Sequence, residues 1–204
     1  MGELRLSDYS SDIALLSFLL LVLSALAVPW LEVSVSSLHD ALYYFLLPWV
    51  LIIPLHEGLH AIVARLFGAK VRFGVTSLGR LIIAPYIAVD APISARKYAV
   101  VSFAPLVLSL TALALAWLQH SVFWALVYVF NTVGMVGDFL TALSLLRMPS
   151  DAKVFDDGIA LKSDSEMPAP YPGWFSTMIK LAFVVLFVLI LIFGRVEVVV
   201  EKGL

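Results

Sequence analysis

Five apolar runs, roughly Ile13 to Val28, Ala41 to Phe67, Tyr98 to Leu118, Val122 to Leu146 and Thr177 to Phe193, each approach the length that crosses a hydrocarbon core of about 30 Å. Lipid offers no partner to backbone N–H and C=O groups, so a lone apolar run of this length must satisfy them internally as a helix. Composition agrees: 62% of the 204 residues are hydrophobic and 14% charged, where soluble domains carry about 25% charged residues. The expected fold is an all-α polytopic membrane protein of about five transmembrane helices in a single domain. Its core covers residues 41–146, followed by a polar connector over 147–176 and a last helix over 177–194. The first run lacks the basic leader and small-residue cleavage site of a signal peptide, and Ser11 and Asp12 fit a helix N-cap, so it reads as a retained helix.

Charge placement orients this bundle. With five spans, the odd loops hold Arg5, Arg65, Lys70, Arg72, Arg80, Arg96, Lys97, Arg147, Lys153 and Lys162, and the opposite side holds Arg195 and Lys202. Basic residues accumulate on the cytoplasmic side, which predicts a multi-pass protein of the cell membrane with its N-terminus in the cytoplasm and its C-terminus outside. The lipid bilayer is then one partner. No basic patch of the kind that binds nucleic acid is present. The chain has no cysteine, which excludes disulfides, thiolate metal sites and a cysteine nucleophile.

Inside the second run stand His56-Glu57-Gly58-Leu59-His60. On a helix, histidines four apart share a face and can bind one zinc ion, with the neighbouring carboxylate available as general base. A zinc ion also needs a third protein ligand and an open position for water. Acids are costly in hydrocarbon, and the cores of the runs contain two, Glu57 and Asp138. His56 precedes Arg65 by nine residues and Asp138 precedes Arg147 by nine; both runs head toward the cytoplasm, so both side chains lie about 13 Å inside it at 1.5 Å per residue. The alternative for Asp138 is a buried, hydrogen-bonded acid without metal. Asn131, two turns before Asp138, projects from nearly the same face. Gly134 and Gly137 either let a helix or substrate backbone approach or form a small-residue packing seam.

These residues resemble the site-2 protease family of intramembrane zinc metallopeptidases, and more narrowly a group described as putative zincin peptidases. The resemblance rests on H-E-G-L-H, the Asn131-to-Asp138 segment and the intervening Arg72 to Ala95 region, and it covers roughly residues 41–146. It implies that His56, His60 and Asp138 bind Zn2+, that Glu57 activates water and that Asn131 helps hold the substrate. Gly134 stands where the family pattern has proline, Asn131 and Asp138 are seven rather than eight apart, and Phe139 follows the aspartate. No loop is long enough for a PDZ-like module.

Lys70 to Ala95 is too polar and broken to span. Partial alternation from Lys70 to Thr76, a turn at Ser77-Leu-Gly-Arg80 and an apolar run interrupted by Pro85 predict a short membrane-associated β-hairpin. It either pairs with an unwound substrate, as in the resembled family, or plugs the bundle. Asp156-Asp157-Gly158 can turn a second small hairpin, and the proline cluster to Pro172 reads as an extended connector. Asp156 and Asp157 read as a solvated turn, and His39 and His120 as polar residues at the opposite face. Pro48 and Pro54 can kink the second span as a packing bend or as an opening toward water.

The function expected is an intramembrane zinc metalloprotease that hydrolyses membrane-associated or transmembrane substrates near the cytoplasmic face. The alternative is a non-catalytic pseudoprotease or metal-binding membrane protein that holds transmembrane segments. Glu57 favours hydrolysis, because storage or transport needs ligands but no general base.

Overall fold

The computed structural model describes residues 2–78, 82–89, 91–156, 158 and 160–193. The turn at Gly79 and Arg80, Asp157, and the far-side basic residues Arg195 and Lys202 with the C-terminus lie outside the described residues.

The protein is mostly helical, with two small antiparallel sheets. Four helical segments among the described residues are long and apolar enough to cross a membrane: Leu6–Leu26, Leu38–Leu66, Ala95–Gln119 and Gly173–Phe193. A fifth arises if Val122–Gly134 and Val136–Leu146, bent by 44° across Met135, form one span. The five expected runs thus each coincide with helix.

Three of the runs are not uniform. The second opens with α2 (Leu38–Ala41), passes through a π-helical turn at Leu42–Leu46 and continues as α3 (Leu47–Leu66) with Pro54 inside it. The irregularity therefore precedes Pro48, whose missing N–H suits the first turn of a helix. The third run is broken at Ala104 and Pro105 into α4 (Ala95–Phe103) and α5 (Leu106–Gln119). The fourth divides into α6 (Val122–Gly134) and α7 (Val136–Leu146). The two glycines near that bend differ: a Cβ on Gly137 would lie 3.2 Å from Leu6 Cδ1, whereas one on Gly134 would meet nothing within 4 Å. Gly137 thus serves close packing, and Gly134 borders open space.

The remaining helices are α1 (Ser10–Leu26) and α8 (Gly173–Phe193). α6 is central, packing on α1, α3 and α5, while α4 packs on α7 and α8 lies against α1.

The hairpin expected between Lys70 and Ala95 is present as β2 (Val71–Leu78) and β3 (Ile82–Val89), paired antiparallel from Val71 opposite Val89 to Leu78 opposite Ile82. A second sheet corrects the expectation of an otherwise all-α fold, and it includes the second small hairpin expected about Asp156 to Gly158. It is built from β1 (Gly2–Leu4), β4 (Ile93–Ser94), β5 (Lys153–Asp156) and β6 (Leu161–Ser163), in the order β1-β6-β5-β4. Leu4 pairs with Leu161, Val154 with Ser163, and Ile93 with Val154. Any side chain at position 2 would collide with the Ser165 and Met167 backbone, so glycine is required there. The stretch 147–176 is accordingly more than a connector. Its proline-rich part is strapped to the end of α7 by Ser144 Oγ donating to the Pro168 carbonyl at 2.5 Å and Arg147 to the Ala169 carbonyl at 2.7 Å.

The N-terminus, the segment after the second helical run and the segment after the fourth all meet in this sheet. A buried cluster including Leu4, Ala64, Val89, Ile93, Tyr98, Leu145 and Val154 joins the sheets to the helix ends beneath them.

The expected cap at Ser11 and Asp12 is not formed. Tyr9 is the N-cap residue of α1, without a side-chain cap bond, and buried Asp12 instead accepts from Tyr171 Oη at 2.6 Å and Ser176 Oγ at 3.0 Å. Burial and the adjacent carboxylate push the Tyr171 hydroxyl up, so it remains a donor. Removing the carboxylate strands that donor. Asp12→Ala is expected to cost about 1–3 kcal/mol, read as a lower melting temperature in detergent, with Tyr171→Phe giving a smaller loss because the Asp12 carboxylate keeps its bond from Ser176.

Candidate metal centre

α3 presents His56 and His60 one turn apart, as the i, i+4 spacing requires, with ring centroids 5.0 Å apart. Asp138 reaches them from the first turn of α7, where the positive end of the helix dipole favours a carboxylate. Its Oδ2 lies 3.2 Å from His56 Nε2 and its Oδ1 lies 3.3 Å from His60 Nε2. One ligand atom from each of the three residues falls within 4.8 Å of the others, a group that could hold a metal ion. The meeting of His56 with Asp138 that the sequence led us to expect is therefore present.

The donor set fits zinc. Zinc–nitrogen and zinc–oxygen bonds of about 2.0–2.2 Å in a tetrahedron place neighbouring donors about 3.3–3.5 Å apart, which the two observed separations approach. The outer ring nitrogens are also committed. His56 Nδ1 faces Asn131 Oδ1 at 2.9 Å, and His60 Nδ1 faces the Val101 carbonyl at 2.7 Å. With an acceptor opposite each Nδ1, a neutral ring carries its proton there and turns the Nε2 lone pair inward. Two such lone pairs facing a carboxylate repel one another unless a cation lies between them. The histidine side chains are 13% and 11% exposed and that of Asp138 23%, so the trio is largely sheltered.

Glu57 is half-buried beside His56 and lies within electrostatic range of the His60 ring. Asn131, expected from the resemblance to hold substrate, is fully buried. Its oxygen is on His56, and its amide nitrogen donates to the Pro105 carbonyl at 3.0 Å and Ser109 Oγ at 2.8 Å. That placement puts the side chain on a histidine. Thr132 extends the network, its Oγ1 2.9 Å from Ser109 Oγ and 2.7 Å from the Tyr128 carbonyl.

Val101, Pro105 and Ser109 were not singled out from the sequence. One signal was available: proline within an apolar run withholds a donor from the carbonyl four residues earlier. Elsewhere, Asp156 accepts from Tyr98 Oη at 3.2 Å and from the Gly158 N–H at 2.7 Å, as a turn residue would. His39 stacks on Tyr43, and His120 adopts a left-handed conformation at the end of α5.

A protein from Pyrococcus woesei described as an "Uncharacterized 24.7 kDa protein in gap 5'region" is 43% identical over 195 residues, covering 96% of this chain and 88% of its own length. No solved structure matches the chain. The family described as "Putative zincin peptidase" matches residues 49–153, which include both histidines, Glu57, Asn131 and Asp138. The chain belongs to the putative zincin peptidase family, which points to metallopeptidase activity and to zinc.

Proposed function

We propose that this protein is an intramembrane zinc metalloprotease of site-2 protease type that cleaves membrane-associated or transmembrane peptides near the cytoplasmic face. The observation that carries this reading is the convergence of His56 and His60, on a helical segment of bilayer length, with Asp138, on the second half of a bent apolar helix pair, beside Glu57. Zinc bound there would supply Lewis acidity toward a scissile carbonyl and lower the pKa of water to about 7. Glu57 removes the proton from the attacking water and passes it to the leaving amine. His56, His60 and Asp138 hold the site, and the surrounding helices restrict bulk water.

The surface supports placement in lipid. Large apolar side chains are exposed along much of the helical surface, among them Leu55, Ile62, Leu110, Leu118, Leu191 and Phe193, whereas soluble monomers rarely expose contiguous apolar patches beyond a few hundred Å². The β2–β3 hairpin packs against α3, so a strand edge stands near the helix that carries the motif. An extended substrate can add to such an edge, and a helical one hides its scissile bond. The direct test is cleavage of a spanning peptide in vesicles by wild-type protein, and its loss in Glu57→Gln.

Sidedness has its own test. Single cysteines at Lys70 and Lys153 are expected to label from the cytoplasmic side, and one at exposed Ser34, between the first and second runs, from the outside. Labelling of all three from one side would mean that the second run does not cross.

A further inference from the structure

The break between α4 and α5 sets the orientation of both histidines. Pro105 has no amide hydrogen, so the Val101 carbonyl loses the helical donor it would receive from position 105. It accepts instead from His60 Nδ1 at 2.7 Å and from the Ala104 N–H at 3.0 Å. The Pro105 carbonyl acts on the other histidine through one intermediary. A carbonyl only accepts, so the NH2 end of the Asn131 amide must face Pro105 at 3.0 Å and Ser109 Oγ at 2.8 Å. The amide oxygen is thereby turned to His56 Nδ1 at 2.9 Å.

We propose that Pro105 is a positioning residue for the metal centre: the carbonyls of Val101 and Pro105, the second acting through Asn131, fix both histidines as Nδ1–H tautomers with Nε2 facing Asp138. Asn131 in this scheme orients a ligand. For His60 the acceptor is a backbone carbonyl that no side-chain rotation removes, and for His56 it is the Asn131 oxygen, held in place by the amide's bonds to Pro105 and Ser109, so both rings are referred to one break. This inference rests on the metal-site reading above.

Cobalt(II) tests it in detergent-purified protein, through affinity and the visible absorption of the bound ion, neither of which needs substrate. Pro105→Ala supplies an N–H that competes with His60 for Val101, and Asn131→Leu removes the amide while keeping a similar shape. Each is expected to weaken cobalt binding about 10- to 100-fold, the range for lost outer hydrogen bonds to metal-bound histidine, and to shift the cobalt absorption. Pro48→Ala, which changes a buried proline outside this network, is expected to leave affinity and absorption unchanged. If both P105A and N131L bind cobalt with wild-type affinity and absorption, the proposal is overturned. Should P105A fail to fold, N131L decides alone by the same criterion. A folded wild type that binds no cobalt or zinc overturns the metal reading itself, an outcome separate from either variant result.

Discussion

Glu57→Gln is expected to leave fold and zinc content unchanged and to lower cleavage at least about a hundredfold, within the roughly 10²–10⁴ that general acid–base catalysis contributes. Glutamine keeps the shape and nearly the volume of glutamate but cannot take a proton from water. Because Glu57 neighbours His56 on α3, a lost base and a disturbed ligand must be told apart, so metal content and cleavage are measured on the same preparation. The substrate should be a membrane-spanning peptide with a helix-weakening residue near its cytoplasmic end, since an intact helix offers no extended strand. A trapped substrate should accumulate on the variant. Equal binding by wild type and Glu57→Gln, with cleavage by neither, would replace the protease with a pseudoprotease that holds transmembrane segments.

The helical runs were legible because hydrocarbon allows a single apolar run few other conformations. Asp138 was legible for a related reason: few acids occur within the runs, and a charge there calls for a partner. The four-stranded sheet was not, beyond the hairpin of β5 and β6. Its strands of two to four residues are too short to show alternation, and the pairing of Gly2 with Ser163 depends on tertiary placement. Asp12 illustrates a local signal overruled by packing. Its position near a helix start suggested a cap, but Tyr171 and Ser176 claim its carboxylate.

Asn131 was singled out from its spacing to Asp138, yet its bonding was hidden because nothing local to Asn131 specifies Pro105 and Ser109 as partners. The breaks at Pro105 and Met135 matter for the same reason. Each divides a run read as one span, and the second places Asp138 in the first turn of a new helix instead of mid-helix. Charge depth put His56 and Asp138 on one level. Their side chains meet at 3.2 Å.

His56→Ala, His60→Ala and Asp138→Ala are each expected to take zinc from about one per chain to well below stoichiometric, with affinity falling more than about 100-fold. That exceeds the usual effect of losing an outer-shell partner, about 10- to 100-fold, because a donor to the metal itself is removed from a three-ligand site. Asp138→Ala carries a second consequence: it removes the charge opposite two histidines whose Nδ1 atoms remain tied to Asn131 and Val101, so the rings stay in place while the site loses its anion. Asp138→Asn separates these effects, since it retains an oxygen at the position but not the charge, and its affinity should fall between wild type and Asp138→Ala. Metal analysis by mass spectrometry together with chelator competition reads all four variants. If Asp138→Ala kept full zinc and Glu57→Gln lost it, the two carboxylates would exchange roles, with Glu57 the third ligand and Asp138 the base, and the histidine pair would stand unchanged.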